Sequence, residues 1–306
     1  MDEFELINRY FDRKGRKPGV VVGIGDDGAV LTPDSKKQQV QVIDTLVEGV
    51  HFPADTDPAD SAYRVVAVNL SDIAAMGARP RWMSLALTLP DTSEQWLESF
   101  ASGLFDAADG FDVALIGGDT TRGPVITVTV TIMGDIEPGA ALLRSGAKAG
   151  DAIFVTGTLG DAAAGLDLLQ RGEFDDFLAQ RFLRPVPRIE IGRALVGKAD
   201  AAIDISDGLA GDLAKLLVAS GVGAEIDIDK LPLSESLCAR FAAEERQQLA
   251  LCGGDDYELC FTATAESVRE IAGITRIGTV MESPGLRCTR GGDIVDVDDS
   301  GYRHFQ

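Results

Sequence analysis

Short apolar runs, each broken by glycine or aspartate, recur along the whole chain, and their spacing predicts alternating strands and helices. Val20-Val21-Val22 and Val40-Gln41-Val42-Ile43 predict strands that bracket an acidic turn. Residues 59–76 predict a helix that ends at the Gly77 and Pro80 breakers. Asn69 and Asp72, three apart on it, share one face. A strand at 82–89, a helix at 93–108 and strands at 113–116 and 125–133 follow. In the last, Ile126, Val128, Val130 and Ile132 alternate with Thr127, Thr129 and Thr131, the pattern of a half-buried strand whose apolar face needs a partner sheet. Glu137-Pro138-Gly139 is a turn, and it divides an N-terminal domain, 1–137, from a C-terminal domain, 138–306. The second half starts again with a strand at 152–155, a helix at 162–169, a break at Pro185 and Pro187, and a helix at 189–195. A strand at 201–205, a helix at 209–219 and further strands toward the tail complete an α/β pattern.

Composition narrows the class. A chain of 306 residues is long enough for two cores. No apolar run approaches the roughly 18 residues of a membrane span, and the acidic, amphipathic start is not a secretory signal, so the cytoplasm is expected. A net charge of −21, from 28 basic and 49 acidic residues, argues against nucleic acid or an anionic membrane as partner. Cys238, Cys252, Cys260 and Cys288 form no C-x-x-C pair and read as reduced, mostly buried thiols. With His51 and His304 the only histidines, a multi-histidine metal centre is excluded.

The charge has a pattern of its own. Aspartates follow apolar runs in Gly23-Ile24-Gly25-Asp26-Asp27, Asn69-Leu70-Ser71-Asp72, Gly117-Gly118-Asp119-Thr120-Thr121, Asp204-Ile205-Ser206-Asp207-Gly208 and Gly253-Gly254-Asp255-Asp256-Tyr257. Glycine lets backbone approach a ligand, and hard carboxylate oxygens suit magnesium. Each motif also has a plain alternative: Asp26 or Asp27 shaping a hairpin, Ser206 or Asp207 capping the helix near Leu209, Asp119 forming an Asx turn. Asp72 resists such a reading, because its neighbours are apolar and no lysine or arginine occurs from Val65 through Ala78. Asp44, closing the strand at 40–43, poses the same problem. Two motif matches fail on context. Residues 23–28 satisfy G-x-G-x-x-G, but a strand and Pro33 follow where a dinucleotide site needs a helix. Residues 192–199 approach a P-loop without its terminal hydroxyl, and inside a helix.

Taken in order, the acidic motifs, Asp44-Thr45-Leu46-Val47-Glu48-Gly49-Val50-His51-Phe52, Arg144-Ser145-Gly146 and Gly301-Tyr302-Arg303-His304-Phe305 resemble the thiamine-monophosphate kinase family. That family is similar to aminoimidazole ribonucleotide synthetase and selenophosphate synthetase. The resemblance implies an N-terminal α/β domain lending strands to a barrel across a homodimer, and a C-terminal α/β domain. It implies several magnesium ions on Asp27, Asp44, Asp72, Asp119, Asp204 and Asp207. Gly118, Arg144 and Ser206 are implied to contact ATP, and His51, Asp255 and Tyr302 to contact thiamine monophosphate. Three positions depart from the family pattern: Val42 and Ile43 stand where Ser-Thr is common, and Asp255 where Glu is common.

The implied chemistry suits these residues. A phosphate acceptor with a second pKa of about 6 is largely ionised at pH 7 and needs no strong base. The difficulty lies in bringing two polyanions together, and metal-loaded carboxylates resolve it.

Overall fold

A computed structural model describes residues 3–13, 18–91 and 93–295. The chain divides into two compact units, one of residues 1–73 and 78–139, the other of residues 74–77 and 140–306.

In the first unit, α1 (Glu3–Leu6) runs into a π-helical turn, Ile7–Phe11. A small antiparallel hairpin, β1 (Val20–Val22) and β2 (Val30–Leu31), follows. Then come β3 (Gln38–Val47), α2 (Pro58–Ala75), β4 (Arg79–Leu89), α3 (Glu94–Gly110), β5 (Ala114–Arg122) and β6 (Thr127–Ile136). The four long strands form a sheet in the order β3-β6-β4-β5, antiparallel except for the β4–β5 pair. That parallel pair is joined through α3, since parallel neighbours need a long crossover. Ser93 starts α3 by accepting the Trp96 N–H, the capping role its side chain favours.

Two expectations change here. Asp44 does not close its strand: β3 continues to Val47 because β6 supplies partners as far as Thr127. The apolar face of β6 needs no partner sheet either, for Val128, Val130 and Ile132 are fully buried within the single chain. The opposite face is the open one. Cross-strand hydroxyl pairs, Thr45 with Thr129 at 2.8 Å and Thr88 with Thr121 at 2.9 Å, run across it, and Ile43 is 63% exposed. At one end the hairpin covers it. The Trp82 indole N–H donates to the Pro18 carbonyl at 3.0 Å, and its ring lies so close to Gly19 that a Cβ there would come within 2.6 Å.

The second unit holds β7 (Ala152–Thr156), α4 (Asp161–Gln170), α5 (Asp176–Leu183), α6 (Ile189–Leu195), β8 (Ala201–Ile205), α7 (Leu209–Ser220) and β9 (Gly223–Asp227). It continues with α8 (Glu235–Arg240), α9 (Ala243–Cys252), β10 (Glu258–Ala263), β11 (Ile274–Met281), β12 (Gly285–Arg290) and β13 (Asp293–Val295). Its sheet runs β13-β12-β9-β11-β7-β10-β8, mostly antiparallel. Leu209, Leu213, Leu216 and Leu217 of α7 pack against Ile203 and Ile205 in its core. Helices α5, α8 and α9 stand where the sequence pattern predicts none. Only Ala250 and Leu251 of α9 are buried, so the helix has almost no apolar stripe to read.

Candidate functional site

The hairpin loop that carries Asp26 and Asp27 joins two strands and opens no helix, which agrees with rejecting a dinucleotide fingerprint. Asp27 is exposed, and it shares with Asp119 a cavity of about 680 Å³ whose apolar wall includes Ile7, Phe11 and Leu115. Asp119 lies within β5, opposite Ala86, so an Asx turn is ruled out. Gly118 beside it is dictated by packing. A Cβ there would sit 1.8 Å from the Leu85 carbonyl oxygen of the neighbouring strand.

Asp44 and Asp72 form a second pair. By register Asp44 shares a face with Val130, opposite to the face that Asp119 shares with Thr129. The Asp72 side chain reaches it from α2 and hydrogen-bonds it. Burial pushes the Asp44 carboxyl up, and the bond from Asp72 only partly offsets this. Asp72 itself is half-buried, not buried as its apolar neighbours imply. One turn earlier, the fully buried Asn69 donates from Nδ2 to the Val65 carbonyl at 2.8 Å, while its Oδ1 has no hydrogen-bond partner. Two adjoining carboxyls and a buried, unpaired carbonyl oxygen suit a hard divalent cation. Among the described residues, however, no three Asp, Glu, His or Cys side chains gather closely enough to enclose a metal. His51 accepts the Val47 N–H at Nδ1, 2.9 Å, which puts the proton of the neutral ring on Nε2.

In the second unit, the strand β8 carries the buried Asp204, and the Ser206-Asp207 bend follows its end at Ile205. Neither Ser206 nor Asp207 caps α7, whose first turn has no side-chain cap. Instead the buried Asp212, one turn inside the helix, accepts the N–H groups of Ser206 at 2.9 Å and Asp207 at 2.8 Å through Oδ2. Lys215 then bridges Asp207 at 2.5 Å and Asp212 at 2.7 Å. The exposed Arg144 belongs to a loop tied to Ser220, whose hydroxyl bonds the Arg144 carbonyl and the amides of Gly146 and Ala147.

The loop at 253–257 is fastened to the same strand end. The Asp255 N–H donates to the Ser206 carbonyl and the Tyr257 N–H to that of Ile205, both at 2.8 Å. Asp255 and Tyr257 both have positive φ, 71° and 51°, and the Tyr257 hydroxyl reaches Asp255 Oδ1 at 3.1 Å. Such backbone strain persists only where surroundings enforce it. Asp256 does the enforcing. Fully buried, it accepts the Gly160 N–H at 2.6 Å and so caps α4, and burial pushes its carboxyl up to about 8. Beneath it Glu258, also fully buried, binds Arg181, Arg188 and Thr156. Tyr302 lies outside the described residues.

Asp212, Lys215, Asp256 and Glu258 escape the sequence reading. The i, i+3 spacing of Asp212 and Lys215 was a usable signal for the first two. Nothing marks Asp256 over Asp255 as the inward member of its pair.

Two units with these sheets and this order of acidic turns define an AIR synthase-related protein. The model of the AIR synthase related protein N-terminal domain matches residues 25–136, and that of its C-terminal domain matches 148–290. Within that class, the chain belongs to the thiamine-monophosphate kinase family. It is 49% identical to the thiamine-monophosphate kinase of Escherichia coli (strain K12), covering 99% of this chain and 98% of that protein. The crystal structure of the thiamine-monophosphate kinase from Stenotrophomonas maltophilia K279a superposes with a TM-score of 0.86 at 44% identity, over 95% of this chain and 96% of that one. A solved structure of AaThiL complexed with AMPPCP and TMP superposes at 0.82 with 36% identity, over 92% of each chain.

Proposed function

We propose that this protein phosphorylates thiamine monophosphate with ATP in the cytoplasm, giving thiamine diphosphate and ADP. The observation that carries this reading is the full-length similarity to thiamine-monophosphate kinases, which includes a relative solved with AMPPCP and TMP together. Asp27, Asp44, Asp72, Asp119, Asp204 and Asp207 are the ligands of several magnesium ions, and Gly118, Arg144 and Ser206 face ATP. His51, Asp255 and Tyr302 face thiamine monophosphate. The carboxylates come in pairs, which supports this use, because magnesium is commonly held by one or two carboxylates with water and substrate phosphate completing its shell. When bound, magnesium supplies the charge neutralisation that lets two phosphates approach in line.

The protein's own groups position the substrates. Gly118 lets β5 pack closely on Leu85 of β4 and so fixes the position of Asp119. The neutral His51 offers Nε2–H as a hydrogen-bond donor. Asp255, oriented by the Tyr257 hydroxyl, presents a carboxylate suited to the cationic thiazolium. No side chain is needed as general base, since the acceptor phosphate is already ionised. The active form is a homodimer, joined through the open face of the first sheet that carries Ile43 and the threonine pairs. Incubation with thiamine monophosphate, ATP and magnesium should form thiamine diphosphate, EDTA should stop it, and excess magnesium should restore it. Product formation in EDTA would overturn the metal assignment.

A further inference from the structure

Lys215 is a charged group at the Asp204–Asp207 segment that the proposed chemistry does not use. Its ammonium lies 2.5 Å from Asp207 and 2.7 Å from Asp212, yet the two carboxylates are not equivalent partners. Asp212 is buried and its other oxygen is committed to the amides of Ser206 and Asp207. Asp207 is one-third exposed, and apart from the lysine it is the carboxylate that faces solvent. Resting on the reading of Asp207 as a magnesium ligand, we propose that Lys215 is a tethered counter-cation that a divalent metal must displace from Asp207.

The arrangement makes displacement inexpensive. When a metal takes the Asp207 carboxylate, Lys215 keeps its bond to the buried Asp212, so only the exposed half of its pairing is lost. Exposed ion pairs of this kind are individually weak. The three side chains leave one negative charge uncompensated. A divalent ion reverses that sign, which turns a self-neutralised cluster into one that attracts polyphosphate. Lys215 thereby lowers the affinity of this site for free metal while leaving it able to accept metal that arrives on a nucleotide.

The test is Mn²⁺ binding to the EDTA-stripped full chain, followed by the electron paramagnetic resonance of free Mn²⁺ and by calorimetry. Lys215→Met keeps the aliphatic stem and drops the charge, and it should tighten one class of Mn²⁺ site by about 3–10-fold. Lys215→Gln should do the same and Lys215→Arg should not. Asp207→Asn should weaken that same class, and Lys215→Met added to Asp207→Asn should give no gain. If Asp207→Asn weakens binding but Lys215→Met and Lys215→Gln leave it unchanged or weaker, the competition is overturned and the ligand role of Asp207 stands. If Asp207→Asn leaves Mn²⁺ binding unchanged, the ligand role falls, and the counter-cation role with it.

Discussion

At the scale of single residues, the acidic side chains of this protein separate into those that face solvent and those the fold has consumed. Asp256 is the clearest of the second kind. The unfolded carboxyl has its ordinary value of 3.8, and the folded one is raised to about 8. Between these values the folded state holds the extra proton, so the stability it contributes is complete below about pH 4 and is lost as pH rises through about 8. Asp256→Asn is permanently neutral. It should therefore show a smaller fall in melting temperature than the wild type between pH 6 and pH 9, together with a loss of about 1–3 kcal/mol at pH 6 for an imperfect cap. Equal falls in the two proteins would mean that Asp256 is ionised in the fold.

Asp72 stands between the two kinds, half-buried and bonded to Asp44. Replacing it by Asn keeps the side-chain shape and a hydrogen-bond donor toward Asp44 while removing a partly desolvated carboxyl, so the metal-free protein should melt at the same or a higher temperature while Mn²⁺ affinity drops. A large fall in melting temperature with affinity retained would make it a structural carboxylate.

At the scale of elements, the same distinction decides what Gly118 does. Its place in β5 leaves no space for a methyl group against the Leu85 carbonyl, so Gly118→Ala should part β4 from β5. A loss above about 3 kcal/mol, or failure to fold, is expected, well outside the range of ordinary point changes. Thermal melts that show a stable variant with only a raised KM for ATP would assign Gly118 to nucleotide contact alone.

Much of this level was legible in the sequence. The helix Pro58–Ala75 was legible through the Gly77 and Pro80 breakers that follow it, and the strand Thr127–Ile136 through its alternation. The reach of β3 to Val47 was not, because strand ends are set by the register of the partner. The burial of the β6 face inside one chain was not legible either, since periodicity tells that a face is covered without telling by what. Nor was the split between Asp255 and Asp256. Two adjacent aspartates are identical to a pattern search, and only the turn at positive φ sends one to the surface and the other under α4.

At the scale of the whole molecule, the full-length family match gives the reaction and the structure gives its economy of charge. A net charge of −21 would repel ATP from any bare pocket. In the proposed reading the paired carboxylates bind the two polyanions only when loaded with metal, and Lys215 holds the separate Asp207 carboxylate until metal arrives. The homodimer proposed through the open sheet face should appear as twice the chain mass in light scattering across micromolar concentrations, and Ile43→Lys should shift it toward the monomer. A monomer mass throughout would remove that assignment.

The choice of acceptor tests phosphoryl transfer to thiamine monophosphate most directly. ADP release should be measured with magnesium and ATP, offering either thiamine monophosphate or unphosphorylated thiamine. An ionised phosphate acceptor needs only positioning and neutralised charge, whereas a hydroxyl needs a base that none of the assigned residues supplies. Turnover with thiamine monophosphate and almost none with thiamine is the result expected. Equal turnover with both, or with thiamine alone, would contradict the account.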